Sequence, residues 1–208
     1  MTRNLFPLAV LAVVTMVVAG ALAQKNELDG ILGRTFISDQ GVAGTALPDS
    51  NIHFGHGLTF EANYGRRLLD TGVFTLTLEV PAVFNPNQKL DFAGLDTPSS
   101  FASYFVTPSA RVTLLPHGAL APWLSVGGGI GHFSLSSRLE SGLANPNRSG
   151  TTTGVFQLGL GLDVRIIHSL YLRGEAREFN SGEPQLNVNT GKSRFNNLFA
   201  GAGLAWHF

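Results

Sequence analysis

The segment 157–165 reads Gln-Leu-Gly-Leu-Gly-Leu-Asp-Val-Arg and alternates strictly between two kinds of residue. Its even positions are three leucines and a valine, whereas its odd positions are glutamine, glycine, Asp163 and Arg165. Successive side chains of a β-strand point to opposite faces of the sheet. A strict period of two therefore predicts a strand with one apolar and one polar face.

The same alternation recurs in other segments of the chain. It is weakest in the first predicted strand, where either parity could be the apolar face. Short connections at 67–71, 116–119 and 167–168 alternate with long ones at 38–51, 85–100, 136–151 and 181–194. The long connections are rich in Asn, Pro, Ser, Gly and Asp, which are typical of loops. We predict eight strands, at 27–37, 52–66, 72–84, 101–115, 120–134, 152–166, 169–180 and 195–208.

The composition suits strands that meet lipid on one face. Only 13% of the 208 residues are charged, against about 25% in typical soluble domains, and glycine and phenylalanine are abundant at 25 and 15 residues. Fourteen basic residues balance fourteen acidic ones, which leaves no basic excess for binding nucleic acid. The absence of cysteine excludes a disulfide-stapled fold and a lipoprotein anchor.

The amino-terminal region has the features of an export signal. Arg3 precedes an almost wholly apolar stretch at 5–22, and Ala21 and Ala23 form a cleavage site of the A-x-A kind. We expect a signal peptide at 1–23 and one mature domain at 24–208; an uncleaved membrane anchor is the alternative. No later segment has the ~18 apolar residues of a membrane helix.

Together these patterns predict an all-β fold, an eight-stranded antiparallel up-and-down transmembrane β-barrel. Outer-membrane barrels have an even number of strands, short turns at one end and long loops at the other. If both termini lie at the short-turn end, long connections must follow the odd-numbered strands and short connections the even-numbered ones. The sequence has this order. A soluble periplasmic β-sandwich is the alternative fold, but it does not require apolar residues on the outer face of every strand.

The last predicted strand carries a family resemblance. Its outward parity ends in Leu204, Trp206 and Phe208, after further apolar residues at 198, 200 and 202. This pattern resembles the final strand of the small outer-membrane barrels grouped around the outer membrane protein A transmembrane domain and the porin-like proteins. The resemblance implies that these three residues form a carboxyl-terminal signal read by the barrel-assembly machinery during insertion.

The polar parity of the strands predicts the contents of the barrel. An eight-stranded barrel is only wide enough for side chains to fill it. Because buried charges must be paired, we expect a balanced network of four acids and four arginines that plugs the lumen; a selective leak pathway is the alternative. The predicted lumen-facing residues are Glu61, Glu79, Asp163, Glu175, Arg111, Arg165, Arg173 and Arg177.

Three prolines fall in or beside predicted strands, where each removes a backbone donor. We expect Pro81 and Pro122 near the barrel rims and Pro108 at a bulge or at a misplaced strand start. The sequence leaves open whether Arg34 faces lipid.

Chemical motifs are weak. His132, Ser134 and Glu140 have the order of the histidine, serine and acid used by lipid A deacylases of this shape, but Leu135 stands where that family has asparagine. We therefore favour a polar pair at the rim. His53 and His56 lack the further ligands of a metal site.

We thus expect a protein of the bacterial outer membrane that is not an enzyme and has no cofactor. Its role would be structural or in surface interaction, with outer-membrane lipid and lipopolysaccharide as partners, and it would be a monomer. A narrow porin-like channel and a lipid A-modifying enzyme are the alternative functions.

Overall fold

A computed structural model describes residues 26–38, 40–41, 51–55, 57–88, 90–91, 100–139, 141–145, 150–182 and 194–208. The predicted signal peptide and its cleavage residues, Ala21 and Ala23, lie outside these ranges. Within them, no helix is long and apolar enough to cross a membrane.

Twelve strands follow one another along the described chain. They are β1 (Asn26–Ile37), β2 (Gln40–Gly41), β3 (Asn51–Phe54), β4 (Gly57–Asp70), β5 (Phe74–Gln88), β6 (Leu90–Asp91), β7 (Phe101–Val106), β8 (Ser109–Leu114), β9 (Leu120–Leu135), β10 (Gly150–Ile167), β11 (Leu170–Gly182) and β12 (Arg194–His207).

Eight wall strands form the barrel, because β7 and β8 are two halves of one strand. The short strands β2, β3 and β6 pair separately, beyond the ends of the barrel strands that flank them. The predicted fold is confirmed. The predicted second strand was placed too early, since β4 begins at Gly57 and the separate strand β3 ends at Phe54.

The sheet closes on itself because β1 pairs antiparallel with both β4 and β12. Asn26 and Phe208 complete the seam through reciprocal backbone hydrogen bonds of 2.6 and 2.9 Å. Following paired residues once around the ring from Glu27 returns to β1 at Ile37, ten residues further on. This stagger tilts the strands and fixes the diameter of the barrel.

The two ends of the barrel differ. Turns at 71–73, 115–119 and 168–169 connect strands at one end, the turn end, where both Asn26 and Phe208 also lie. The longer connections emerge at the other end, the loop end. This arrangement confirms the alternation of short and long connections read from the sequence.

The outer wall is an apolar belt. Its large side chains are about half exposed in the isolated chain, which on a soluble protein would be an unusually large apolar surface. Arg34 also lies exposed on the outward face, between Leu58 of β4 and Ala200 of β12. Belt residues include Leu28, Leu32, Phe60, Leu78, Val112, Leu124, Ile130, Leu158, Leu160, Leu172 and Leu204.

Two expectations about proline were wrong. Pro81 lies in the middle of β5, where its carbonyl accepts a hydrogen bond of 3.2 Å from the Thr107 amide. Pro108 interrupts the wall between β7 and β8, but both halves keep the same register against β5 and β9, so there is no bulge. Because proline has no backbone N–H donor, the ladder of hydrogen bonds between neighbouring strands is interrupted locally at these positions. Pro122 lies two residues from the start of β9, near the turn end as expected.

Inward-facing glycines allow the seam to close tightly. A Cβ atom on Gly203 would overlap the backbone oxygen of Gly30 on the neighbouring strand, whereas a Cβ on Gly30 would point into open space. Gly33 faces the backbone of β12 in the same way. The absence of a Cβ atom is therefore required at Gly33 and Gly203 on the inner face of this seam, but not at Gly30 on its outer face.

We expect Gly203→Ala to lower the unfolding free energy by about 2 kcal/mol or more, because β1 and β12 would have to move apart. Gly30→Ala is the matched control on the partner strand and should be nearly neutral. Urea titration in detergent micelles, followed by the heat-dependent shift in gel mobility, measures both. Equal stabilities would contradict the close approach at the seam.

Candidate functional site

The half of the lumen nearer the turn end contains a network of ion pairs centred on Arg173. Its NH1 atom lies 2.7 Å from Glu27 Oε1 and 2.5 Å from Asp29 Oδ2. Its Nε and NH2 atoms donate to the two oxygens of Asp163, each at 2.7 Å. The side chain is wholly buried, so these carboxylates replace its hydration shell.

Two further arginines belong to the network, and the second, Arg177, extends it toward the loop end. Arg111 NH2 donates to Glu27 at 2.6 and 2.7 Å, and Arg111 NH1 lies 3.2 Å from Glu79 Oε2. Arg177 NH1 lies 2.8 Å from Glu79 Oε1, so Glu79 joins both arginines. Arg177 Nε also contacts two neighbouring carboxylates, of Glu175 at 2.8 Å and of Glu61 at 3.2 Å.

Trp123 lies at the centre of the three arginines. The guanidinium carbons of Arg111, Arg173 and Arg177 lie 5.2–5.5 Å from the centroid of its ring, within the range of cation–π attraction. Its indole N–H donates to Asp163 Oδ1 at 3.2 Å. A Cβ on Gly161 would overlap this indole, so that glycine makes room for it.

The half of the lumen nearer the loop end is filled by phenylalanine. Phe105 and Phe179 stack with centroids 4.5 Å apart, and Phe133 packs edge-on against Phe105 at 5.7 Å. Ile31, Val83 and Val155 are buried in the same cluster. Among the described residues, the phenylalanine rings that face inward and are no more than 2% exposed are Phe101, Phe105, Phe133, Phe179, Phe195 and Phe199.

Seven of the eight predicted lumen residues are buried in this interior, but Arg165 is not. It lies exposed at the turn end, where its guanidinium is 5.7 Å from the Tyr171 ring and donates to the Pro116 carbonyl at 3.4 Å. Its parity is inward, but β10 reaches the barrel opening there and has a register shift between Arg165 and Ile167. Arg165 therefore belongs to the opening and not to the network.

The predicted balance of four acids and four arginines does not hold. Glu27 and Asp29 of β1 are buried in the lumen and were missed, because the first strand fits either parity. Among the described residues of the network, six carboxylates therefore meet three arginines. His207 of β12 adds a contact to Glu27 at 3.1 Å.

The sequence did contain signals for the other missed residues. Trp123 shares the inward parity of Ser125, and Phe195 and Phe199 lie on the parity opposite to Leu198 and Leu204. The expectation of a wholly polar interior hid them. Parity predicts which side chains face inward, whereas their chemical character has to be read separately.

The predicted carboxyl-terminal signal lies on the outer wall at the turn end. Leu204, Trp206 and Phe208 are each about half exposed, and the rings of Trp206 and Phe208 stack at 4.7 Å. Aromatic side chains at this level suit a membrane interface. Their recognition by the assembly machinery remains a prediction.

The weak chemical motifs do not come together in the described residues. His132 Nδ1 pairs with Thr152 Oγ1 at 2.9 Å on the outer face of the wall, and no hydrogen bond to Ser134 is described. Glu140 and His56 lie outside the described residues, as does the side chain of His53. Within the described residues no group of three or more potential metal ligands occurs.

Comparison with solved structures finds this architecture in bacterial outer-membrane proteins. Neisserial surface protein A matches with a TM-score of 0.55 and 15% identity, over 89% of this chain and 97% of its own. OprG from Pseudomonas aeruginosa matches with a TM-score of 0.52 and 11% identity, over 89% and 96%. No protein-family model and no curated protein matches the sequence. At these identities the matches show a shared fold.

Removing the central arginine should destabilise the barrel strongly. Arg173→Met leaves Asp29 and Asp163 buried without their main partner and removes one of the two arginines on Glu27, which typically costs about 3–5 kcal/mol. Arg165→Met is the matched control, since that side chain is exposed and its ring contact contributes about 1 kcal/mol or less. Urea unfolding in micelles measures both; equal losses would contradict the central role of Arg173.

The carboxyl-terminal signal can be separated from stability. Phe208→Ala should reduce the folded protein recovered from outer membranes of expressing cells, while refolding into micelles changes little because the ring is half exposed. Leu172→Ala lies on the same outer wall and is similarly exposed, and it should lower neither the amount of folded protein in the outer membrane nor the refolding into micelles. If the two variants reach the membrane equally, Phe208 is not part of a signal.

Proposed function

We propose that this chain, which has the fold of the small eight-stranded outer-membrane β-barrels, is a closed structural barrel whose loop end serves surface interactions. The observation that carries the proposal is the filling of the lumen by two layers in series. One is the ion-paired network around Trp123, and the other is the phenylalanine cluster. In this proposal the protein has no catalytic activity and no cofactor.

The network links the walls of the barrel. Its members come from every wall strand: β1, β4, β5, β8, β10 and β11 supply the charged groups, β9 supplies Trp123, and β12 supplies His207. A solute entering this layer would have to separate buried ion pairs, each of which has lost its hydration. The layer therefore supports a role as a plug and as a cross-brace of the wall.

The phenylalanine cluster is a second barrier of a different kind. An ion that passed the network would meet mainly rings and aliphatic side chains, with a few uncharged polar groups such as Asn85 and Asn197, which replace little of its hydration shell. Two barriers of opposite character oppose both ions and small apolar molecules. This supports a closed barrel over the narrow porin-like channel.

The loop end supports a role at the cell surface. Outer-membrane barrels expose their long loops to the exterior. Here β2, β3 and β6 pair into a small sheet beyond the barrel strands, and a bridge between Arg138 and Ala144 closes a hairpin after β9. Paired backbone in these connections provides a shaped surface, for which lipopolysaccharide and other surface molecules are the proposed partners.

Conductance in planar lipid bilayers tests the closed barrel. We expect no discrete current steps from the wild-type protein. Trp123→Ala alone and Phe105→Ala/Phe179→Ala alone should also stay closed, because one layer remains in each. The triple variant that combines these substitutions should give measurable current steps. Adding Leu124→Ala to the triple variant changes an outward neighbour of Trp123 and should leave the size of the steps unchanged.

Two outcomes would overturn the proposal. Regular wild-type steps that scale with salt concentration would favour the porin-like channel. A change in the mass of lipid A on expression of the wild-type protein, absent with His132→Ala, would favour the enzyme.

A further inference from the structure

A cavity of about 340 Å³ opens at the turn end of the barrel, and we call it the turn-end vestibule. Its lining includes Arg67, His117, Arg165, His168, Tyr171 and His207, and it contains no acidic side chain. Cavities of this size hold small molecules. The vestibule is thus large enough for a ligand and is lined by cationic and imidazole groups.

The acidic side chains that border the vestibule are already matched. At its inner limit Glu27 is held by Arg111, Arg173 and His207, so its charge is satisfied within the network. At its rim Asp70 lies 3.1 Å from Arg67 NH1 and 3.3 Å from His117 Nε2. The Gly72 amide donates to Asp70 Oδ1 at 2.9 Å, which holds this carboxylate in place beside Arg67.

Arg165 is a cation of the vestibule that lacks an acidic partner among the described residues. Among the described residues no carboxylate lies within ion-pairing distance of its guanidinium, which is nevertheless held in place. Tyr171 lies beneath it, and the other contact of this ring is with His207, stacked at 4.3 Å. An arginine that is oriented by an aromatic ring but lacks a counter-ion presents its planar donors to whatever enters the cavity.

We propose that the turn-end vestibule is a binding site for a small organic oxyanion, a carboxylate or a phosphate, held by Arg165. The guanidinium fork matches the geometry of both groups. Arg67 lies on the opposite wall, four strands away around the ring of eight, but its charge is shared with Asp70, so Arg165 is the main attraction for an anion in the vestibule. Because short turns of outer-membrane barrels face the periplasm, the ligand would come from that compartment.

The turn-end vestibule is closed at its inner end. The ion-paired network lies directly behind it, with Glu27, Arg111 and Asp163 at the boundary. A ligand bound by Arg165 therefore enters and leaves through the same opening. The vestibule would act as a binding site on the periplasmic face even if the barrel conducts nothing.

The test uses full-length protein folded in detergent micelles and observed by NMR, with inorganic phosphate and succinate as probes. We expect at least one probe to shift the amide resonances of 117–118 and 168–169 in a saturable way. Arg165→Gln should weaken that binding about tenfold, and Arg165→Lys, which keeps the charge but loses the planar fork, should weaken it less. Arg194→Gln, at the loop end, is the matched control and should leave it unchanged.

The two probes separate the possible ligands. A preference for succinate assigns the site to carboxylates, and a preference for phosphate assigns it to phosphorylated compounds. Absence of saturable shifts up to about 10 mM, a limit of weak binding, would overturn the proposal. Equal weakening by Arg165→Gln and Arg194→Gln would overturn it too, because attraction by overall charge would then explain the shifts. Heat-dependent gel mobility verifies that each variant is folded.

Discussion

Closure of β1 on β12 is the constraint on which the rest of the structure depends. A strand exposed to lipid cannot leave its amides and carbonyls unpaired, because the hydrocarbon offers no water to replace them. The chain meets this requirement with eight wall strands and a stagger of ten residues, and glycines at the seam let the two backbones approach. Strand number and stagger together fix an interior that side chains can fill completely.

The filled interior then has to satisfy its own chemistry. Near the turn end, carboxylates outnumber the arginines that contact them, and Arg173 compensates by contacting three acids at once. Trp123 provides a flat surface on which all three guanidinium groups lie close together despite their like charge. Near the loop end, tightly packed rings fill the space without any need for charge. The barrel thus has two cores in series, one polar and one apolar.

The features of the two ends of the barrel depend on where the side chains that fill the lumen stop. At the turn end the described acidic side chains are paired within the network or, in the case of Asp70, with Arg67, and Arg165, which has no such partner among the described residues, borders an open cavity. At the loop end, paired strands continue beyond the wall and form a surface above the apolar core. A filled centre with two differently shaped ends is consistent with the proposed role of a closed scaffold that binds at its surfaces.

The sequence by itself determined the strand count, the alternation of short and long connections, and the outward apolar parity, because these are local patterns with a period of two. It also placed Glu61, Glu79, Arg111, Arg173 and Arg177 on the inward face. Only the tertiary structure decided what those side chains contact, since the ten-residue stagger brings together strands that are distant in sequence, such as β1 and β11 at Glu27 and Arg173. The stagger likewise separates Arg165 from the network, because height within a tilted barrel depends on the position of a strand around the ring and not on parity alone.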